Sequence, residues 1–366
     1  MTIYSTEVML SLIMAIVFSW ILPKRLQMIS SSIITISFLI FFDISSLSIL
    51  LFMATISYLI PKRYSFSTTI LLYSILVVTL IFLFYKVLIL VDSDNYIMPL
   101  GLSFYSFRVM HYIFEGYKEK LPQHTFYDYF TYLFFLPTFI VGPINRFLQF
   151  HSDLNSRELK SVDISLGLER ILYGYAKVVI LSSYLLELKL DRYIDSIEAT
   201  NYYLYHYLVS IQYWLNLYFQ FSGYSDIAIG VASLMGFKVM ENFNYPFFAK
   251  NIPEFWQRWH ISLSLWIKDY VYKPLVALTR RAFLSVLISL TIFGLWHELS
   301  LNYILWGFYH ALGIAIWHKF QILKSKYSYI KNITDTKTFT LFSIFLTFHF
   351  VILSFEIRVI VINLLY

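Results

Sequence analysis

Apolar positions in this chain run on almost uninterrupted, without the period of an amphipathic helix or a half-buried strand. Uncharged stretches of this kind occupy 8–23, 26–42, 44–61, 64–85, 299–318 and 338–355. A helix needs about 20 apolar residues to cross the hydrocarbon core of a bilayer, so each stretch reads as a membrane span. The shorter ones reach both interfaces with snorkelling flanks or local thinning of the bilayer. The turns between the first spans alternate in charge: Lys24-Arg25, then Asp43, then Lys62-Arg63, then Asp92 and Asp94. Basic turns stay on the cytoplasmic side, which places the N-terminus outside. The run from Val8 to Pro23 has no basic residue before it and a basic pair after it, so it reads as a retained span and not as a cleaved signal peptide.

The pattern changes at residue 97. From there the spans carry charges and prolines, among them Arg108, Glu115, Pro137, Pro143, Lys177, Asp226 and Asp269. Polar groups at membrane depth are costly enough to face a protein interior or a wet cavity, and irregular backbone at Pro137 and Gly142-Pro143 needs protein around it instead of lipid. The expectation is an all-α, polytopic integral membrane protein with roughly ten or eleven membrane helices. It forms a single membrane domain, with lipid-facing N-terminal helices over 1–96, a polar-cored region over 97–318, and a loop and C-terminal membrane helix over 319–366. Two hydrophilic stretches, 151–163 and 319–337, read as aqueous loops. No internal repeat is visible, so an inverted-repeat transporter gains no support.

Composition sharpens this picture. Hydrophobic residues make up 58% of the chain and charged residues 14%, against about a quarter charged in a soluble domain. The 35 Phe and 31 Tyr suit lipid and headgroup levels better than a soluble core. The absence of cysteine excludes disulfides, thiolate metal sites and cysteine nucleophiles. A formal charge of +6 would point to nucleic acid on a soluble protein. Here the Lys and Arg are scattered between apolar runs and act as topology determinants, so no nucleic-acid partner is expected.

Candidate chemistry concentrates in histidines of the C-terminal half. In the stretch from Asn251 to Tyr270, a continuous helix would put Trp256 and His260 on one face, with Arg258 and Asp269 pointing elsewhere. His297 falls at the end of the uncharged run Ala282 to His297, and His310 follows Trp306 by one turn. His297-Glu298 begins like a zinc-protease helix, but Leu301 stands where the second histidine would be. No carboxylate lies at ligand spacing, so no metal site is expected. Gly223-Tyr224-Ser225-Asp226-Ile227 resembles a nucleophile elbow without its strand–turn–helix context. A histidine base at membrane depth remains, able to take the proton of an alcohol as that alcohol attacks an activated acyl group.

Several longer motifs point the same way. Pro99-Leu100-Gly101-Leu102-Ser103-Phe104-Tyr105-Ser106-Phe107, Leu136-Pro137, Gly142-Pro143-Ile144-Asn145-Arg146-Phe147, Phe221-Ser222-Gly223-Tyr224-Ser225-Asp226, Asn242-Phe243-Asn244-Tyr245-Pro246-Phe247, Phe255-Trp256-Gln257-Arg258-Trp259-His260-Ile261-Ser262-Leu263-Ser264 and Leu295-Trp296-His297 occur in order over 97–318. Together they resemble the membrane-bound O-acyltransferase family, in its bacterial polysaccharide O-acetyltransferase and D-alanyl transfer branch. The resemblance implies helices around a tunnel or funnel. It also implies a cytoplasmic acyl thioester as co-substrate, acetyl-CoA or an acyl carrier protein, with no bound cofactor. By the same resemblance His297 is the catalytic base and His260 lines the same chamber, while Glu298 replaces the family's glycine after the catalytic histidine. His310, Asp226, Asn242, Arg258 and Asp269 are secondary chamber candidates, with helix-holding ion pairs or hydrogen bonds as the plainer reading for the charged ones.

The leading expectation is therefore an O-acyltransferase of the cell (inner) membrane. It would move an acetyl or other short acyl group across the bilayer toward hydroxyls of an extracytoplasmic polysaccharide, and work with an extracytoplasmic acyltransferase or small carrier peptide. D-alanyl transfer to teichoic acid is the related alternative. From another class comes a polar-solute or proton-coupled transporter in which His297 belongs to a proton relay.

Overall fold

The computed structural model describes residues 6–64, 67–92, 95–158, 160–198 and 200–365, apart from the side chains of 24–25, 63–64, 161–162 and 355–365. Asp94 and the side chains of Lys24, Arg25 and Arg63 therefore lie outside the described residues. Among those described, the regular structure is helical throughout. Ile44–Lys62, Thr68–Val91, Asp163–Glu198 and Lys337–Ser354 are long and apolar enough to cross a membrane, and Thr6–Ile21, Leu26–Phe42 and Ala282–His297 are shorter apolar helices. The chain groups into two compact units, one of Met1–Val178 with Phe221–Glu241 and the other of Val179–Gln220 with Asn242–Tyr366.

In the first unit, α1 (Thr6–Ile21), α2 (Lys24–Phe42), α3 (Ile44–Tyr64) and α4 (Thr68–Val91) reproduce the first four apolar runs. Asp43 separates α2 from α3 and caps the latter, accepting from Ser46 N–H at 3.0 Å and from the hydroxyls of Ser45 and Ser46. The Leu100 N–H also donates to it at 2.7 Å, which ties the residues before α5 (Leu102–Tyr117) to this turn. After α6 (Phe126–Leu133), a 3₁₀ turn over Leu136–Thr138 and an irregular loop lead to α7 (Phe147–Ser156) and α8 (Ser161–Tyr175). Rings fill the core here: Tyr112 stacks on Tyr129 at 3.9 Å, and Phe150 on Phe237 at 4.8 Å.

Arg108, fully buried on α5, explains how an irregular backbone survives in these apolar surroundings. Its guanidinium donates to the carbonyls of Tyr132 (3.3 Å), Leu133 (3.4 Å) and Thr138, and to the Thr138 hydroxyl. Asn145 donates to the same hydroxyl at 3.0 Å, and its own carbonyl accepts from Tyr132 OH at 2.7 Å. Carbonyls freed where α6 ends at Leu133 and where the 3₁₀ turn ends at Thr138 thus find a buried cation instead of water.

The chain continues from α8 through π-helical turns over Ala176–Leu190 into α9 (Asp191–Glu198), then α10 (Tyr202–Leu234). Within the first unit, α8 and the C-terminal part of α10 meet at backbone distance. A Cβ on Gly174 would lie 2.6 Å from Gly223 O, and one on Gly230 would lie 2.6 Å from Gly167 O. Between the two glycine contacts sits Asp226, bridged by Arg170 at 2.6 Å and by Lys177 on the facing helix, with Arg170 also reaching Glu241. Asp226 is a clamp between helices, and the elbow-like run around it is plain helix.

The second unit holds the start of α10, whose Gln212, Asn216 and Gln220 hydrogen-bond to Leu186 O and the Glu187 carboxylate on the π-helical turns. It continues with α11 (Ile252–Arg258), α12 (Ile261–Ile267), a π turn over Lys268–Tyr272, α13 (Lys273–Thr279), α14 (Ala282–His297), α15 (Leu301–Lys326), α16 (Ser328–Thr334) and α17 (Lys337–Leu365). Two expectations change. The stretch 319–337 is not an extended aqueous loop: α15 runs on to Lys326, and α16 follows after one residue. Much of 151–163 is likewise helical, in α7 and the start of α8. Polar composition marked these stretches as hydrophilic, which does not exclude helix: Lys319, Gln321, Lys324 and Lys326 in the last turns of α15 are good helix formers.

Two outcomes are expected. Arg108→Met keeps the volume but strands the carbonyls, so it should cost about 2 kcal/mol or more, read as a lower unfolding temperature in detergent. Burial opposes ionisation of Asp43, yet the Ser45, Ser46 and Leu100 hydrogen bonds prevail and hold its carboxyl below the usual carboxylate range. A folded pKa below the unfolded one contributes stability above the unfolded pKa, near 3.9, which is lost as pH falls through the folded value. Asp43→Asn should therefore lower stability at neutral pH and flatten the acid limb of a pH–stability curve.

Candidate functional site

A continuous helix from Asn251 to Tyr270 does not form. α11 ends at Arg258, and His260 takes a left-handed backbone (φ 42°, ψ 53°) before α12 begins. That conformation is uncommon for a residue with a Cβ and persists only where the surroundings over-determine it. Here the segment 242–244 does so. Asn244 N–H donates to Arg258 O at 2.9 Å, and Ile261 N–H to Asn242 O at 2.8 Å. Trp256 and His260 therefore do not share a helical face.

The Asn242 side chain completes the clasp. Its Oδ1 accepts from Ser262 N–H at 3.3 Å and from Ser262 Oγ–H at 2.9 Å, and it lies 3.1 Å from His260 Nδ1. An oxygen already accepting a backbone N–H makes His260 Nδ1 the protonated nitrogen, so Nε2 carries the lone pair. Asn242 and His260 are both buried, as is Ser262. The remaining candidates on this stretch hold helices: Arg258 pairs with Glu254 at 2.7 Å and donates to Asn244 O at 3.2 Å, and Asp269 pairs with Lys273 at 2.8 Å.

His297 ends α14, as its position after an uncharged run predicts, and it is exposed where His260 is buried. The two histidines contact the same two rings. Phe293 lies 6.3 Å from the His260 ring and 5.5 Å from that of His297, and Trp296 lies 5.9 Å and 4.5 Å away. Tyr303 stacks on His297 at 5.6 Å from the far side of the turn. His310 is further along α15, fully buried against Trp306 (4.7 Å) and Trp256 (5.2 Å), and neither of its ring nitrogens has a hydrogen-bond partner among the described residues. It packs among these rings, with Trp306 between it and His297. Next to this cluster a cavity of about 310 Å³ opens between α11, α12, α14 and α15. Trp256 and Phe293 line it together with Gln257, Lys268 and Tyr272.

What sets His297 against Tyr303 is the closeness of α14 and α15. A Cβ on Gly294 would fall 2.2 Å from Tyr303 O, and one on Gly307 would fall 2.6 Å from Leu290 O. Both contacts lie on an antiparallel hairpin closed by Glu298–Ser300. The sequence expectation gives these glycines no packing role and does not include the shared Phe293. Two glycines inside otherwise apolar helices were the available signal, since small residues are what let membrane helices approach. Asp226 belongs to the first unit, in the clamp described above. Among the described residues no three His, Asp or Glu side chains gather as a metal site.

The sequence profile of the membrane-bound O-acyltransferase family matches residues 36–331. The chain belongs to this family. Among curated relatives, the probable alginate O-acetylase AlgI of Pseudomonas aeruginosa is 35% identical over 224 residues, covering 60% of this chain and 42% of that protein. The teichoic acid D-alanyltransferase of Bacillus subtilis is 32% identical over 283 residues, with 72% and 69% covered. The peptidoglycan O-acetyltransferase of Helicobacter pylori is 27% identical over 269 residues, with 65% and 51% covered. This member of the family thus spans less than half the length of the alginate O-acetylase it matches. The family match takes in all of α14 and α15, the hairpin that carries His297 and His310.

Filling either glycine of this hairpin should part its helices. Gly294→Val is expected to lower stability by about 2 kcal/mol or more, and the same variant should lose the ring packing around His297, seen as altered near-UV circular dichroism of the tryptophans.

Proposed function

We propose that this chain transfers a short acyl group from a cytoplasmic thioester onto a hydroxyl of an extracytoplasmic polymer, with His297 as the general base. The observation that carries the reading is an exposed imidazole, fixed at the end of α14, beside a second histidine whose tautomer is set by Asn242. In the step, an acceptor hydroxyl gives its proton to His297 as its oxygen bonds to the acyl carbon. Collapse of the tetrahedral intermediate breaks the carbon–sulfur bond, and the thiolate leaves with the proton from the imidazolium. His260, buried and pinned, holds the aromatic wall and the chamber's shape. Acetyl-CoA or an acyl carrier protein would serve as donor, its pantetheine arm suiting the mostly apolar 310 Å³ cavity that shares Trp256 and Phe293 with the histidines.

The relatives support two acyl groups. Alginate and peptidoglycan O-acetylases favour acetyl, whereas the greater mutual coverage with the teichoic acid D-alanyltransferase favours D-alanyl. An extracytoplasmic transferase or small carrier peptide would complete delivery to the polymer, and the chain would lie as a multi-pass protein in the cell (inner) membrane.

His297→Ala should cut ester-linked acyl groups on surface polymers by about a hundredfold or more, measured by mass analysis alongside a check of membrane insertion. Undiminished acylation by the inserted variant would remove His297 from the mechanism, and thioester-independent solute flux through reconstituted protein would favour a transporter.

A further inference from the structure

Glu298 is a charge that the acyl-transfer step leaves unused. It follows His297 directly, is exposed, and its carboxylate has no hydrogen bond or ion pair among the described residues. Three other acidic groups of the same unit are engaged: Glu254 by Arg258, Asp269 by Lys273, and Glu187 by Asn216 and Gln220. The backbone that bears Glu298 is held at both ends. Its N–H donates to Gly294 O at 3.2 Å, its carbonyl accepts from Ser300 N–H at 3.0 Å, and Ser300 starts α15, which is locked to α14 at Gly294 and Gly307. The α-carbon that bears the carboxylate is therefore about 3.8 Å from the α-carbon of the base, on a turn that packing keeps in place.

Any acyl carbon that reacts must come within hydrogen-bond reach of His297 together with its acceptor hydroxyl. The reach of a Glu side chain from the adjacent backbone position can then bring its exposed carboxylate to a cationic substituent on the neighbouring α-carbon, an attraction screened by solvent. We propose that Glu298 selects an acyl group bearing a protonated amine, an aminoacyl thioester, over a neutral one of the same size. This inference rests on the acyl-transfer reading and names the substrate class of that site. The bonds made and broken are unchanged: oxygen joins the acyl carbon, sulfur leaves it, and the hydroxyl proton reaches the thiol through His297. The amine keeps its proton throughout and is bound, not consumed.

The test uses the full chain in lipid nanodiscs and two stable pantetheine analogues in which NH replaces the thioester sulfur, one alanyl and one propionyl. The native protein should bind the alanyl analogue about tenfold more tightly. Glu298→Gln should bring the two affinities together, and Glu298→Asp should restore part of the difference. The alanyl preference should also fall as pH rises past the titration of the amine, a response that a purely structural role would not produce. Equal affinities in the native protein, or a ratio unmoved by Glu298→Gln, would overturn the selectivity while leaving acyl transfer standing. Failure of both analogues to bind the native protein would overturn both readings.

Discussion

A backbone that leaves the helix inside an apolar protein must find its hydrogen-bond partners within that protein, because neither lipid nor close-packed rings can supply them. Much of this structure follows from that constraint. In the first unit Arg108 meets it, gathering the carbonyls around Leu136–Thr138 under one buried guanidinium. In the second unit the segment 242–244 meets it, pairing with the chain on both sides of the break at His260. The family's irregular motifs thus coincide with the places where a polar side chain substitutes for helical hydrogen bonds. A buried charge here has a structural reason before it needs a functional one.

The same logic makes the three histidines unequal. His260 is a clasped residue: its left-handed backbone, its Asn242 partner and its burial leave it little freedom. His310 is surrounded by rings on α15 and serves the packing that supports the hairpin. His297 alone is exposed, at a helix end, where a reactant can approach it. The functional reading takes its weight from this contrast more than from the number of histidines.

The glycine contacts show how little chemistry is needed to position that residue. Gly294 and Gly307 contribute no side chain, and because of that α14 and α15 approach until Tyr303 and Trp306 lie against the His297 ring. Without that approach the histidine would end an isolated apolar helix. In the first unit the same device, applied twice between α8 and α10, brings Asp226 between Arg170 and Lys177.

Run length and charge alone determined that the chain is helical and belongs in a membrane, since no other environment tolerates so many consecutive apolar residues. α1 to α4 and α14 follow the apolar runs closely, because each such helix satisfies its own backbone and its ends are set locally. The motif order was also enough to reach the family. The break at His260 was not legible, because it depends on hydrogen bonds from a segment some 16 residues away that competes with the local helix. Nor was it legible that His297 is exposed while His260 and His310 are buried, or that Arg170 and Lys177 are the cations that hold Asp226, although the resemblance ranks the histidines and an ion pair is the plainer reading for Asp226. Those were decided by tertiary structure, where partners distant in the chain settle which polar group is buried, which is paired and which is left open to a reactant.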